Sequence, residues 1–265
     1  MYRELKHIFK KTASSVSYAL GGLNKNSPEV KNSFRILLYH SVGPRDKRDI
    51  MRIRISPELF FAQMKYLKER KYRVMALSEL VRMLRERLPI PERAIAITFD
   101  DGYRDNLSEA AVVLNKFNFP ATIFVSLDYR EALWPLLSKA DLLKLADFNI
   151  DIGLHSLSHQ RLTAIGEVEL RQEIPQAKIM LENAVGKQIA LFSYPHGVYN
   201  ARVITMLKES NFNSACSSSI GKNDFNTPLY ELCRTEITGA DSLFEFRKKL
   251  AGAYDLLQFK RQFLK

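Results

Sequence analysis

Residues 94–103 read Ala94-Ile95-Ala96-Ile97-Thr98-Phe99-Asp100-Asp101-Gly102-Tyr103. Six uncharged residues, mostly apolar, end abruptly on two adjacent carboxylates and a glycine. A run that is apolar at successive positions, without alternation, is the form of a strand buried on both faces, as in parallel sheets. Two anions side by side at its end repel, so either a cation compensates them or they are turn residues, one capping the next helix. In parallel α/β folds and β/α barrels, catalytic groups collect at the C-terminal ends of strands, which is where this pair stands.

Runs of the same kind recur on both sides: 35–40 (RILLYH), 121–127 (ATIFVSL), 150–156 (IDIGLHS), 189–195 (IALFSYP), 213–219 (NSACSSS) and 232–237 (LCRTEI). Helical patterns separate them. Ser56-Pro57 is an N-cap with proline at the first helical position, followed by the stripe Phe60, Met64 and Leu67. Ser78 is expected to begin a second helix carrying Leu80, Val81, Leu84 and Leu88. A third pattern spans 167–185, with Pro175 expected to kink or split it. Leu243, Phe246 and Leu250 mark a last helix. Seven strands alternating with helices predict an α/β fold with a largely parallel sheet, in one domain over residues 34–265.

Composition agrees. The 265 residues are 46% hydrophobic and 26% charged, which excludes wholesale disorder, a collagen-like fibre and a multi-span membrane protein. Two cysteines, Cys216 and Cys233, are too few for a disulfide framework, suit a reducing compartment, and are expected in the core. The net charge of +11 is uneven. Residues 1–35 carry +5, residues 36–93 +7 and residues 247–265 +5, while 94–246 carry −6. An acidic middle between basic ends predicts a site region flanked by surfaces that attract anions. No nucleic-acid-binding signature is present, and none is expected as partner. No run of 18 apolar residues exists, and the N-terminus lacks the apolar block of a cleaved signal peptide. Within residues 1–33, Leu5, Ile8, Phe9, Val16, Leu20 and Leu23 recur at helical spacing against basic charge. This is an amphipathic helix that either lies on a membrane surface or packs on protein.

Four of the five histidines, His40, His155, His159 and His196, lie at or beside expected strand ends. Within His155-Ser156-Leu157-Ser158-His159 the i, i+4 spacing lets two imidazoles converge on one cation. The alternative is two unrelated polar residues in a loop. With Asp101 the segment supplies two nitrogens and one oxygen, a three-ligand set that leaves a position open for water. It suits zinc and also accepts cobalt, nickel or iron(II).

Together, TFDDG and HSLSH resemble the polysaccharide deacetylases of carbohydrate esterase family four, the NodB homology domain, over residues ~34–250. The resemblance implies a distorted (β/α) barrel of about seven strands. It implies Asp100 as catalytic base, and Asp101, His155 and His159 as ligands of one divalent metal. Leu38-Tyr39-His40 has the Leu-x-His form of the family's general acid, at the place it takes in the circularly permuted branch containing the poly-N-acetylglucosamine deacetylases. His40 is then the acid. One departure stands out: where many members carry Arg-x-Pro-x-Gly, with the arginine orienting the base, this chain has Ser193-Tyr194-Pro195-His196-Gly197. Tyr194, Pro195 and His196 are expected to line the pocket. Tyr103 and Trp134 are expected either to stack on a sugar or to serve as packing.

The activity implied is removal of acetate from an N-acetylated sugar, with an O-acetyl esterase or a deacetylase of finished extracellular polysaccharide as alternatives. A non-catalytic binding protein is disfavoured, because base, metal set and acid are all present. The N-terminal helix and the missing signal point to a cytoplasmic enzyme, peripheral on the inner membrane face. Its substrate there is expected to be a polyprenyl-phosphate-linked sugar of envelope assembly.

Overall fold

The computed structural model describes residues 32–255. The basic helix expected within residues 1–33, with its stripe from Leu5 to Leu23, lies outside the described residues. β1 (Phe34–Tyr39), β5 (Ala94–Phe99), β6 (Ala121–Val125), β7 (Ile150–Leu154), β8 (Leu191–Ser193) and β9 (Ser214–Cys216) pair in that order, all parallel, with β10 (Thr235–Glu236) on the far side of β1. The segment before β10 closes the ring. Leu232 bridges Cys216 of β9, and three residues later Thr235 pairs with Leu37 of β1. The result is the distorted parallel barrel expected. β4 (Arg73–Val74), beside β5, and a small parallel pair, β2 (Ser41–Val42) with β3 (Arg54–Ile55), are additions that the sequence reading did not contain.

Side chains of the central strands alternate between two cores, as the two-residue period requires. Leu37, Tyr39, Ile95, Ile97, Phe99 and Phe192 face outward against helices such as α1 (Pro57–Glu69), with Phe60, Met64 and Leu67 buried there. Ile36, Ala94, Ala96, Phe124, Leu191 and Cys216 face inward, packed with Leu80, Val81 and Leu84 of α2 (Leu77–Glu86). The lumen is tight: a Cβ on Gly153 would come within 2.4 Å of the Phe124 ring. Ser56 caps α1 as expected, accepting from the Leu59 amide. Ser78 does not cap α2. That helix starts at Leu77, and the Ser78 hydroxyl donates to Asp151 instead.

A short π-helical stretch over Asn106–Ala111 leads into α3 (Val112–Phe117), and α4 is Lys139–Lys144. The third pattern is split, as Pro175 required, into α5 (Glu167–Arg171), a π-helical stretch (Gln172–Gln176) and α6 (Ala177–Val185). Then follow α7 (Ala201–Glu209) and α8 (Leu243–Leu250). Cys216 and Cys233 are both free thiols, the first buried and the second partly so. Among the described residues no helix is long and apolar enough to cross a membrane.

Candidate active site

Parallel register delivers the site. Tyr39 of β1 pairs with Phe99 of β5, so the next residues, His40 and Asp100, leave the same rim at the same level. Leu154 of β7 pairs with Phe192 of β8, which sets His155 level with Ser193. The backbone then turns sharply. Asp101, Ser156, His159 and His196 all have positive φ, between 58° and 72°. Non-glycine residues in that region cost ~1–3 kcal/mol each and persist where surrounding structure dictates them.

Asp101, His155 and His159 present one donor atom each within 4.8 Å of one another. Asp101 Oδ1 lies 3.5 Å from His155 Nε2 and 3.4 Å from His159 Nε2. Tetrahedral ligands with bonds of ~2.1 Å stand ~3.4 Å apart, so the donor set fits a zinc-sized cation. The tautomer fits too. Nδ1 of His155 lies 2.8 Å from the Ser193 carbonyl, which can only accept, so Nδ1 carries the proton and Nε2 offers its lone pair. Burial, then His155 and His196, bring the His159 imidazole down to about 2.

The loop between the two histidines is pinned from outside. Glu173, buried in the π-helical stretch, accepts from the backbone amides of Leu157 and Ser158, each at 3.0 Å, and from the Ser158 hydroxyl. Ser126 Oγ donates to the His155 carbonyl at 2.8 Å, and the Ser156 hydroxyl accepts from the His159 amide at 3.0 Å. Tyr129, which the sequence did not single out, stacks on the His159 ring at 4.3 Å.

Ser193 stands where the resemblance implies an arginine, yet an arginine from another segment meets Asp100. Arg234 stands mid-way along the closing segment, fully buried, and grips the carboxylate with two parallel bonds of 2.7 Å, Nη1 to Oδ1 and Nη2 to Oδ2. Ser193 completes the clamp, accepting from Arg234 Nη2 at 2.9 Å and donating to Asp100 Oδ2 at 3.1 Å. Burial pushes the Asp100 carboxyl up, but Arg234, with His155 and His40 behind it, outweighs burial and holds it well below the usual carboxylate range. The signal for Arg234 lay in the pattern of 232–237. Leu232 and Arg234 share the inward face, and a charge on the inner face of a barrel demands a buried countercharge.

His40 is half-buried and stands close enough to Asp100 and His159 to act on both electrostatically. Its Nδ1 is buried and, among the described residues, has no hydrogen-bond partner. Asn106 donates to its backbone carbonyl at 2.7 Å.

The expected pocket liners divide. His196 is exposed, its ring edge-on to His159 at 4.6 Å. Tyr194 is a correction to the sequence reading, and Pro195 beside it is buried. Strand alternation sends Ser193 into the lumen and Tyr194 outward, where its hydroxyl donates to the Tyr230 carbonyl and its ring stacks on Tyr199. Tyr103 and Trp134 take the packing alternative. They are 1% and 7% exposed, they meet edge to face at 5.2 Å, and the Arg54 guanidinium covers the tryptophan ring at 4.0 Å.

The family model for polysaccharide deacetylase matches residues 88–215. YxkH of Bacillus subtilis (strain 168), named for polysaccharide deacetylase, is 27% identical over 206 residues, covering 77% of this chain and 71% of its own. The poly-beta-1,6-N-acetyl-D-glucosamine N-deacetylase of Staphylococcus epidermidis is 25% identical over 211 residues, 71% of this chain and 73% of that protein. Among solved structures, the Streptococcus pyogenes deacetylase PplD, determined in complex with acetate, superposes with a TM-score of 0.75 at 19% identity, covering 83% of this chain and 99% of that one. At that identity the likeness speaks for the fold alone, which is the same barrel.

Proposed function

We propose, from the premise that this chain belongs to the polysaccharide deacetylase family, that it hydrolyses the acetamide of an N-acetylated amino sugar with a metal held by Asp101, His155 and His159. The observation that carries the reading is the convergence of those three donors beside a carboxylate that Arg234 keeps ionised. A zinc ion held by these three residues would supply Lewis acidity, polarising a carbonyl and lowering the pKa of water at neutral pH.

The protein's own groups supply the rest. Asp100 takes the proton from the attacking water. Arg234 favours the ionised form of that carboxylate, the form that accepts a proton. His40 gives a proton to the leaving nitrogen, which is otherwise a very poor leaving group. Ser193 and Arg234 hold the carboxylate in one orientation throughout.

The substrate proposed is an amino sugar of the cell envelope, linked to a polyprenyl phosphate. The basic amphipathic N-terminal stretch holds the enzyme against an anionic membrane. The supporting observation is the +5 charge of residues 1–35 set beside an apolar stripe. Acetate release by the purified, zinc-loaded chain, compared across lipid-linked N-acetylglucosamine, soluble N-acetylglucosamine oligomers and O-acetylated xylan, tests the reading. Release from the lipid-linked sugar above all supports it. Release from the ester alone, or from none, overturns it.

A further inference from the structure

The loop that leaves β2 and returns as β3 reads Pro44-Arg45-Asp46-Lys47-Arg48-Asp49-Ile50-Met51-Arg52-Ile53. Ile50 and Met51 at its tip are 90% and 79% exposed. A single exposed apolar side chain is ordinary. Two consecutive ones, among exposed Arg45, Lys47, Arg48 and Arg52, are not.

The loop is held in this shape. Asp49 turns inward and accepts from the amides of Ile53 and Arg54, at 3.0 and 2.9 Å, so its charge is spent within the loop. Asp46 is taken up by Arg48 and by the indole N–H of Trp134, at 3.0 Å. Gly239 donates to the Arg52 carbonyl, and a Cβ there would meet the Arg54 carbonyl oxygen at 2.1 Å. The loop borders an open hollow of about 750 Å³, lined by Arg45, Lys47, Arg52 and Arg54 together with Asp46 and Asp49. Ser41 follows His40 directly and is tied to Arg54 and Asp105, so the loop rises from the rim that carries the site.

We propose that this loop docks on an anionic lipid bilayer, Ile50 and Met51 entering the acyl boundary while Arg45, Lys47 and Arg52 meet headgroup phosphates. The apolar tip selects a bilayer over a soluble anion, and the cationic ring selects acidic lipid over neutral lipid. Docked this way, the catalytic rim faces the membrane. The inference concerns where that rim points and does not depend on which bond is cleaved there.

The test is co-sedimentation of the full chain with vesicles of phosphatidylglycerol and phosphatidylcholine, and with vesicles of phosphatidylcholine alone. Compared with wild type, the charge-neutral pair Ile50→Ser with Met51→Ser, and separately Arg45→Gln with Lys47→Gln and Arg52→Gln, should each weaken partition to the anionic vesicles by ~10-fold or more. Unchanged melting and bound metal in both variants establish that fold and site are intact. Three outcomes overturn the proposal. One is undiminished partition of the serine pair, which would leave the N-terminal stretch as the whole anchor. The others are equal binding to neutral vesicles, and displacement from vesicles by millimolar inorganic phosphate, which would mark a soluble-anion site.

Discussion

The two sides of the barrel mouth are built on opposite rules. On the β7 side a network of hydrogen bonds surrounds the two histidines. His155 Nδ1 donates to Ser193, and the loop amides and the Ser158 hydroxyl are taken by Glu173. On the β1 side the backbone is fixed, through Asn106 and the Ser41–Asp105–Arg54 cluster, but His40 keeps a buried Nδ1 with no partner among the described residues. Fixed tautomers suit ligands, whose lone pairs must point one way in every turnover. A ring whose second nitrogen is not committed can take up and release a proton without breaking a neighbour's bond. On the proposed function, the first side holds and the second transfers.

The assignment breaks most readily at the aspartate pair, where the largest effects are expected. Asp101→Asn should abolish stoichiometric zinc and with it activity. Asp100→Asn should keep zinc and lose ~10²–10⁴-fold in kcat. Metal analysis alongside acetate release checks both, and the reverse pattern would exchange the two roles. On the transferring side, His40→Ala should bind zinc normally and lose ~10²-fold or more on an N-acetyl sugar, but far less on an aryl acetate whose leaving group needs no proton. Equal losses on the two substrates would place His40 in positioning.

A smaller effect sharpens the account of Asp100. Arg234→Gln removes the countercharge, so burial governs and the carboxyl pKa rises, moving the acid limb of kcat/KM up by ~1–3 pH units. The stability consequence has the same sign. A carboxylate depressed in the folded state contributes fully above its unfolded value of ~3.9 and loses that contribution only as pH falls through the folded value. The substitution removes that contribution. It also strands a buried carboxylate at a cost of ~3–5 kcal/mol, so Arg234→Lys, which keeps the charge, is the companion variant. An acid limb that stays in place in Arg234→Gln would mean that Asp100 owes its ionisation to other charges.

The seven strands of the barrel, and Asp100, Asp101, His155 and His159 of the candidate site, were legible because they are local facts. An uninterrupted apolar run, an adjacent Asp pair and histidines four apart need no knowledge of the fold. Arg234 was hidden by distance: its partner lies 134 positions earlier, and only barrel closure brings them together. Tyr194 was misread for the opposite reason. It adjoins Ser193 in sequence, but one step along a strand is a change of face, and it belongs to the outer core. For Trp134 the sequence leaves sugar platform and packing both open, because it does not show what covers the ring. That ring is covered by Arg54, which the sequence places 80 positions away.

Glu173 is the subtlest of the hidden residues, and its substitution is expected to have the smallest effect. Nothing in a helical stretch marks one glutamate among several. Pro175 opens the helix into a π-helical stretch there, and the Glu173 side chain is 3% exposed, its charge compensated by two amides and a hydroxyl from the histidine loop. That loop must hold Ser156 and His159 at φ 67° and 62° for His159 to turn back toward Asp101. Glu173→Gln keeps the shape, but trades a charged acceptor of three bonds for one carbonyl and a donor facing other donors. Zinc affinity, measured by chelator competition, should fall ~10–100-fold, the range for groups that orient ligands. At saturating zinc, kcat should stay near wild type, because neither Asp100 nor His40 touches the loop's anchor. Unchanged affinity would mean that Ser126 and the Asp128–Leu157 backbone bond suffice to hold the turn. A fallen kcat at saturating zinc would mean that the loop also positions the groups that move the proton, and the division between the two sides of the mouth would not stand.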